Sequence, residues 1–534
     1  MKKMIQALGI ATALTLPIQT LALLLAMVAG CANNPLLRYG GVGASRGAYE
    51  TGNTERAASW FELHRYEPTS LRIFLQRMPK GGDIHSHLSG AVYAESYLAW
   101  AAEENFCVRE VGEVLKLQRC VAGNPTMTPL ATLTDSRIYN QLIDQMSTRN
   151  LEFAERSGHS DFFGSFETIG PVNRLRVGNM VADVATRAAE QRIYYLELML
   201  SAQNRAVREL GRKVGMHSDY ASTFSALLEA GLADVVEAGR EEFNELEKDF
   251  QQVMGCDRED APTGCEVTIR YLQQASRTRT PAEVFAQLAF AVEITRADSR
   301  VVGLNLVAPE DERVALRDYT MHMEMLEFLI SAAPEPVNVS LHAGELTLGL
   351  VDPRELRFHI REAVEVGQAR RIGHGVDIAY EDDALGLLEE MRERDILVEI
   401  CLTSNDIILN VWGDEHPLPL YLEAGVPVTL ATDNEGVARI DLTDEYLRAA
   451  VAYDLGYREL KAMARNSLAY SFLPGTGLWQ PGSFAVTEAC AGDALGSRSP
   501  TRTCAEFLAS SERAREQWHL EAEFVVFESL RWVH

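Results

Sequence analysis

The 534-residue chain is short of positive charge: 50 Lys and Arg stand against 76 Asp and Glu, for a formal net charge of −26. Phosphate backbones are gripped by clustered Lys and Arg, so a nucleic-acid polymer is excluded as a partner. A small neutral ligand is not excluded, because a local pocket can differ from the global field. None of the eight cysteines forms a CxxC pair, which argues against a thiolate zinc cage and a thioredoxin-type site. HExxH, PCxxC and GxxxxGK[ST] are also missing, so zincin proteases, the zinc class built on HxE plus PCxxC, and P-loop enzymes are not indicated. His322-Met323-Glu324 has the HxE half alone and sits in a helical pattern, as packing or surface. Gly43-Ala44-Ser45-Arg46-Gly47 matches GxSxG, but it lacks the preceding strand and following helix of a nucleophile elbow. There is no internal repeat and no low-complexity tract. With 47% apolar and 24% charged residues, the composition is that of a folded chain.

One long apolar run is present. Lys2 and Lys3 precede Met4–Gly30, which carry no charge, and Pro17, Gln19 and Thr20 interrupt this stretch. A basic start, an apolar heart and a small-residue exit predict an export signal over residues 1–30 rather than a permanent membrane helix. The exit Val28-Ala29-Gly30-Cys31 resembles a bacterial lipobox, which implies lipidation of Cys31 and membrane contact only through that anchor. Ala32, rather than Asp, after the cysteine points to the outer membrane facing the periplasm over the inner membrane. Residues 31–55, rich in Gly, Asn, Ser and Ala, read as a flexible tether. With Cys31 set aside, six of the other seven cysteines are near neighbours: 107 with 120, 256 with 265, and 490 with 504. Such short loops can close in an oxidising compartment. Cys401, inside an apolar run, reads as a buried free thiol.

Eight short, mostly apolar runs are candidate strands: Gly82–His87, Ile193–Ser201, Val267–Leu272, Val301–Leu306, Val337–His342, Arg371–His374, Ile396–Leu402 and Val426–Thr432. Between them lie helical patterns such as Pro281–Ala297, Leu316–Ala333, Pro353–Val366 and Asp383–Arg394. Repeated strand–helix alternation predicts an α/β fold, a (β/α)8 TIM-type barrel, with an open doubly wound sheet as the alternative. Roughly 105 residues separate the first two strands and about 65 the next two, so insertions follow strands 1 and 2. The barrel with its insertions is assigned to residues 56–475. Residues 476–534 form a C-terminal extension with a helix near Ser511–Leu520.

Titratable residues gather at the C-terminal ends of these strands, where barrels keep their active sites. His85-Ser86-His87 ends the first strand; alternate residues share a face, so both imidazoles can reach one ion. His342 ends the fifth, followed by Gly344 and Glu345; His374 ends the sixth, and Asp433 follows the eighth. Any one of these could be an ordinary structural residue. Together, three neutral imidazoles and a carboxylate suit one divalent cation with an open water position. Such a cation brings the pKa of its water to about 7. Glu345 and His374 are then left for proton work.

In this order the motifs resemble the adenosine deaminase family. The resemblance runs from about Met78 to Leu473 and rests on Met78-Pro79-Lys80, His85-Ser86-His87-Leu88-Ser89-Gly90-Ala91, Ser340-Leu341-His342-Ala343-Gly344-Glu345, Arg371-Ile372-Gly373-His374-Gly375 and Thr432-Asp433. The insertions and export signal look like the larger secreted branch of the family. The resemblance implies zinc held by His85, His87, His342 and Asp433. It implies proton donation from Glu345 to purine N1, and stabilisation of the new oxygen by His374. Adenosine or 2′-deoxyadenosine would be converted to inosine or 2′-deoxyinosine plus ammonia. Gly303, Gly344, Ser89 and Asn434 would contact substrate: Gly303 through its backbone, Gly344 by allowing close approach. Two positions depart from the family pattern. Asn434 replaces an Asp that donates to N7; an amide is always able to donate there, whereas a carboxyl must first be protonated. Ser89 replaces an Asp at the sugar, which opens the sugar's identity. Adenine, another modified 6-aminopurine nucleoside, or a non-catalytic lipid-anchored nucleoside binder are the alternatives. No basic cluster near the motifs offers to hold a phosphate. The oligomeric state is not readable from sequence.

Overall fold

Each of the eight runs forms a strand: β1 Gly81–His87, β2 Ile193–Leu200, β3 Thr268–Ser276, β4 Val301–Val307, β5 Ser340–Ala343, β6 Arg371–His374, β7 Leu397–Ile400 and β8 Val428–Leu430. They are seen in a computed structural model describing residues 52–532, apart from 113, 150, 152–156, 481 and 482. The export signal, Cys31 and the GxSxG match therefore lie outside the described residues, as does the tether up to residue 51. Strands β1 to β4 form one parallel sheet in chain order and β5 to β8 another. Single parallel bridges join the two sheets at both edges, Leu304 with Val339 and Ser86 with Asp433. The eight strands thus follow one another in the TIM-type circuit. Most strand residues are buried, because helices cover the outer face and side chains fill the inner one.

The helices form where local chemistry favours them. Pro281–Ala297 begins with a Thr280–Glu283 capping box and a proline in its first turn. Expected Leu316–Ala333 is two helices, Arg313–Arg317 and Tyr319–Ala332, hinged at Asp318, which caps both. Pro353–Val366 holds only the shorter helix His359–Glu365, after a single 3-10 turn. The run Ile396–Leu402 leaves the sheet after Ile400, and Leu402 opens the helix Leu402–Leu409. The apolar pattern continued across that boundary because Leu402, Ile408 and Leu409 are buried on the helix. Gly52–Glu55, assigned to the tether, open the helix Gly52–Leu63, which buries Ala57, Ala58, Trp60 and Phe61.

The first insertion holds three antiparallel strands, Phe106–Val111, Val114–Arg119 and Thr128–Pro129, tied by Cys107–Cys120. The second holds Asn204–Val214, Tyr220–Glu229 and Leu232–Met254, with Cys256–Cys265 just beyond. The extension carries Cys490–Cys504, and its helix runs Glu512–Glu528, longer than the expected Ser511–Leu520. That helix packs on Tyr457–Ala469 through Glu521–Arg465 and Glu528–Lys461. Cys401 is free and buried. Among the described residues, no helix is long and apolar enough to cross a membrane.

Arg371 lies fully buried inside the barrel, paired with Glu197 of β2 (2.5 Å) and Glu399 of β7 (2.6 Å), its guanidinium over the Phe472 ring. Removing the Arg371 side chain is expected to cost about 3–5 kcal/mol, because both carboxylates would be left dry and without it.

Candidate active site

The seam between β1 and β8 builds the site. The backbone N–H of Asp433 donates to His85 O (2.9 Å), and His87 N–H donates to Asp433 O (2.8 Å). The carboxylate is thereby set against two imidazoles: Asp433 Oδ1 lies 3.5 Å from His85 Nε2 and 3.2 Å from His87 Nε2. His342, from β5, brings its Nε2 within 3.1 Å of His87 Nε2. One ligand atom from each of these four residues lies within 4.8 Å of all the others.

The far side of each ring is fixed by a polar partner. His85 Nδ1 meets Glu399 Oε2 (2.5 Å), His87 Nδ1 meets Gln274 Oε1 (3.0 Å), and His342 Nδ1 meets Asn305 Oδ1 (2.9 Å). Asn305 Oδ1 also accepts the His342 backbone N–H, which sets the direction of that amide. Arg371 and a hydrogen bond from Ser340 Oγ hold Glu399 ionised and below the usual carboxylate range, against its burial. With an acceptor at every Nδ1, the proton of each neutral ring sits there and the Nε2 lone pairs converge.

These residues fit a divalent cation. His85 Nε2 and Asp433 Oδ1 are buried with no hydrogen-bond partner, a costly arrangement unless something occupies the space between them. Burial, and the charges of His85 and His87, keep His342 well below its ordinary pKa and hence neutral, as a ligand must be. Two carboxylates, Glu399 and Asp433, push His85 up to about 10 despite its burial, so the cluster favours a positive charge at its centre.

Glu345 and His374 stand beside this cluster, with Glu345 Oε1 3.5 Å from His374 Nε2, and both atoms are buried without a hydrogen-bond partner. Burial, Asp433 and Glu310 push Glu345 well above the usual carboxylate range, so it carries a proton. Burial lowers His374 to about 3, so it is neutral. Glu310 pins the loop that bears Glu345: its carboxylate accepts the consecutive N–H groups of Gly344 (3.1 Å) and Glu345 (2.9 Å), and meets His359 Nδ1 at 2.6 Å. Ala308 (φ 87°), His374 (φ 71°) and Asp433 (φ 57°) are left-handed non-glycine residues just beyond or at the ends of β4, β6 and β8. Some backbone strain is thus held at this rim.

The second group of expected residues divides. Asn434 follows Asp433, is buried, and packs its Oδ1 against Gly90, where a Cβ would lie only 1.7 Å away. Ser89 is half-buried on the short helix Leu88–Ala91 directly after β1. Gly344 is left-handed (φ 74°), and a Cβ there would strike Asp377 and Ile360, so the packing behind the loop requires a glycine. Gly303 lies within β4, where a Cβ would strike Asn338 O and Phe472. Its small size serves strand packing. His322 is buried in its helix and Glu324 accepts from Tyr220 Oη, so the HxE half-motif is packing.

Sequence reasoning gave no role to the residues that orient the site: Gln274, Asn305, Glu310, Glu399, Ser404 and Asn405. Ser404 Oγ donates to Asp433 Oδ2 (2.6 Å), and Asn405 Nδ2 donates to His374 Nδ1 (3.0 Å). The available signal was polarity in the wrong place. Asn305 and Glu399 interrupt otherwise apolar barrel strands, whereas Gln274 sits in a strand with several polar residues.

Comparison with known proteins adds the following. The family model described as adenosine deaminase matches residues 125–477. Adenosine deaminase of Enterococcus faecalis is 34% identical over 177 residues, which is 33% of this chain and 47% of the relative. Adenine deaminase of Rhizobium etli is 29% identical over 221 residues, 41% of this chain and 62% of the relative. Across the curated relatives it matches, the chain spans about half their length or less in the leading cases, 47% and 38%. The solved N6-methyl-AMP deaminase of Arabidopsis thaliana is similar with a TM-score of 0.47 and 19% identity, covering 76% of this chain and 94% of that one.

Proposed function

The chain belongs to the adenosine deaminase family, and from that premise we propose that it hydrolyses the 6-amino group of adenosine or 2′-deoxyadenosine, yielding inosine or 2′-deoxyinosine and ammonia. The observation that carries the reading is the convergence of His85, His87, His342 and Asp433 beside a protonated Glu345 and a neutral His374. A zinc ion held by the first four would supply Lewis acidity and a water acidic enough to react near neutral pH. Glu345 gives its proton to purine N1, which draws electrons from C6. Water adds to C6 and gives up both its protons, one to the departing nitrogen and one that restores Glu345; the C6–N bond breaks, and the nitrogen leaves as ammonia. His374 faces the oxygen that is added. Ser404 holds the outer oxygen of Asp433 and so keeps its inner oxygen turned to the cluster.

The choice of adenosine over adenine is supported by the E. faecalis relative, an adenosine deaminase, and the choice of a nucleoside over a nucleotide by the absence of a basic cluster for a phosphate near the motifs. The test is ammonia release across adenosine, 2′-deoxyadenosine, adenine and N6-substituted nucleosides, with Glu345→Gln as the control. Turnover of adenine alone would move the substrate to the free base; turnover of none, in zinc-loaded protein, would end the reading.

Asn434 is proposed as the donor to purine N7. Asn434→Ala is expected to lower kcat/KM about tenfold with zinc retained, the worth of one buried hydrogen bond of about 1.4 kcal/mol. An unchanged kcat/KM would remove that role. Residues 1–31 support export to a bacterial envelope with a lipid on Cys31. Metabolic labelling with a fatty acid is expected to mark the protein and to fail in Cys31→Ser; equal labelling of both would refute it.

A further inference from the structure

We propose that Asn405 and His416 are positioning residues that fix His374 as its Nε2–H tautomer, so that His374 serves the reaction as a hydrogen-bond donor and not as a base. The Leu418 N–H is a backbone group, whose donor role cannot change. The N–H of Leu418 donates to His416 Nδ1 (3.0 Å). That nitrogen therefore carries no proton, and the ring proton of His416 must sit on Nε2. His416 Nε2 lies 3.0 Å from Asn405 Oδ1 and so donates to it. The Asn405 amide is thereby oriented with its NH2 toward His374, and Nδ2 donates to His374 Nδ1 (3.0 Å). His374 Nδ1 is an acceptor, and its proton is on Nε2.

The chain Leu418, His416, Asn405, His374 is buried throughout. It sets His374 apart from the three histidines beside it. His85, His87 and His342 each face an acceptor at Nδ1 and turn a lone pair inward. His374 faces a donor at Nδ1 and turns an N–H inward, so it cannot complete the cluster as a further ligand. That N–H is buried, 3.5 Å from Glu345 Oε1, and has no hydrogen-bond partner. Its missing acceptor is the oxygen added at C6, which gains negative charge as it bonds. A left-handed backbone at His374 (φ 71°) aims the ring at this point.

Two measurements test this. The first is independent of activity: ring 15N spectra of histidine-labelled, zinc-loaded protein, with His374 identified by its loss in His374→Gln. The proton is expected on Nε2; a proton on Nδ1 overturns the inference. The second rests on the deaminase reading. Asn405→Asp puts a carboxylate, which only accepts, opposite Nδ1, and so draws the His374 proton there. Its kcat is expected to fall about 10²–10³-fold, the loss seen when one donor to a developing oxyanion is removed, with KM little changed and zinc content unchanged. His416→Gln can still accept from Leu418 and donate to Asn405, and is expected to retain most of the kcat that His416→Leu loses. Full kcat in Asn405→Asp, or equal loss in both His416 variants, overturns the proposal. If wild-type protein deaminates no purine while His374 is protonated on Nε2, the substrate reading fails and the tautomer assignment stands.

Discussion

Glu345→Gln is expected to lower kcat by about 10²–10⁴-fold, the range that a positioned general acid supplies, while leaving zinc content and fold intact. The amide keeps the size of the carboxyl and can still donate a hydrogen bond to N1, but it has no proton to give. KM should therefore change much less than kcat, since what is lost is an interaction made on the way to the transition state. A variant within threefold of wild type would remove Glu345 from the chemistry. The pH dependence follows from the direction of its shift. Burial and the neighbouring carboxylates Asp433 and Glu310 raise the pKa of Glu345, so the reactive, protonated form persists through neutral pH. The rate should hold on that side and fall as pH rises through the raised value. The loop that carries Glu345 owes its position to Glu310, which takes two successive backbone N–H groups in one carboxylate.

Removing one metal ligand is expected to have the largest effect of all. His342→Ala takes one of three nitrogens from the cluster and leaves Asn305, which held its far side, without that partner. Turnover should fall below detection and bound zinc should drop from one equivalent toward none, measured by elemental analysis after gel filtration. Dialysis of the wild type against a strong chelator should reproduce the loss, and added zinc should restore it in the wild type alone. The ligands bind a cation only as neutral imidazoles and a carboxylate, so protons compete with the metal and acidification should release it. Full activity in metal-stripped protein would refute the assignment.

The sequence carried the strand order and the gathering of His85, His87, His342 and Asp433 at one rim, for a physical reason. Barrel strands are short, apolar and β-branched, and a ligand set needs unusual residues at their ends: His85 and His87 two apart, Asp433 directly after an apolar run. The partners that tune those residues were far harder to see. His342 depends on Asn305 from β4, His87 on Gln274 from β3, and His374 on Asn405 and His416 from beyond β7. Such contacts join distant parts of the chain and leave no local spacing to read. Gly303 has a packing reason that the sequence did not show: Phe472 and the Asn338 carbonyl fill the space a side chain would need. Boundaries were blurred where one apolar pattern served two elements, as at Leu402, or where a helix kept its buried face further than expected, as in Glu512–Glu528.

The bridge between Ser86 and Asp433 also bears on the order of events in folding. Its two partners come from the first and last strands of the barrel, separated by most of the chain, and the remaining ligand comes from between them. No partly made chain ending before residue 433 contains the set, and no misregistered closure of the ring assembles it. Metal uptake is therefore expected late, after the contact between the first strand and the end of the last has closed. Once bound, the ion would join the two edges that loop-closure entropy most tends to part, so the same atom that serves chemistry would act as a fastener for the finished ring.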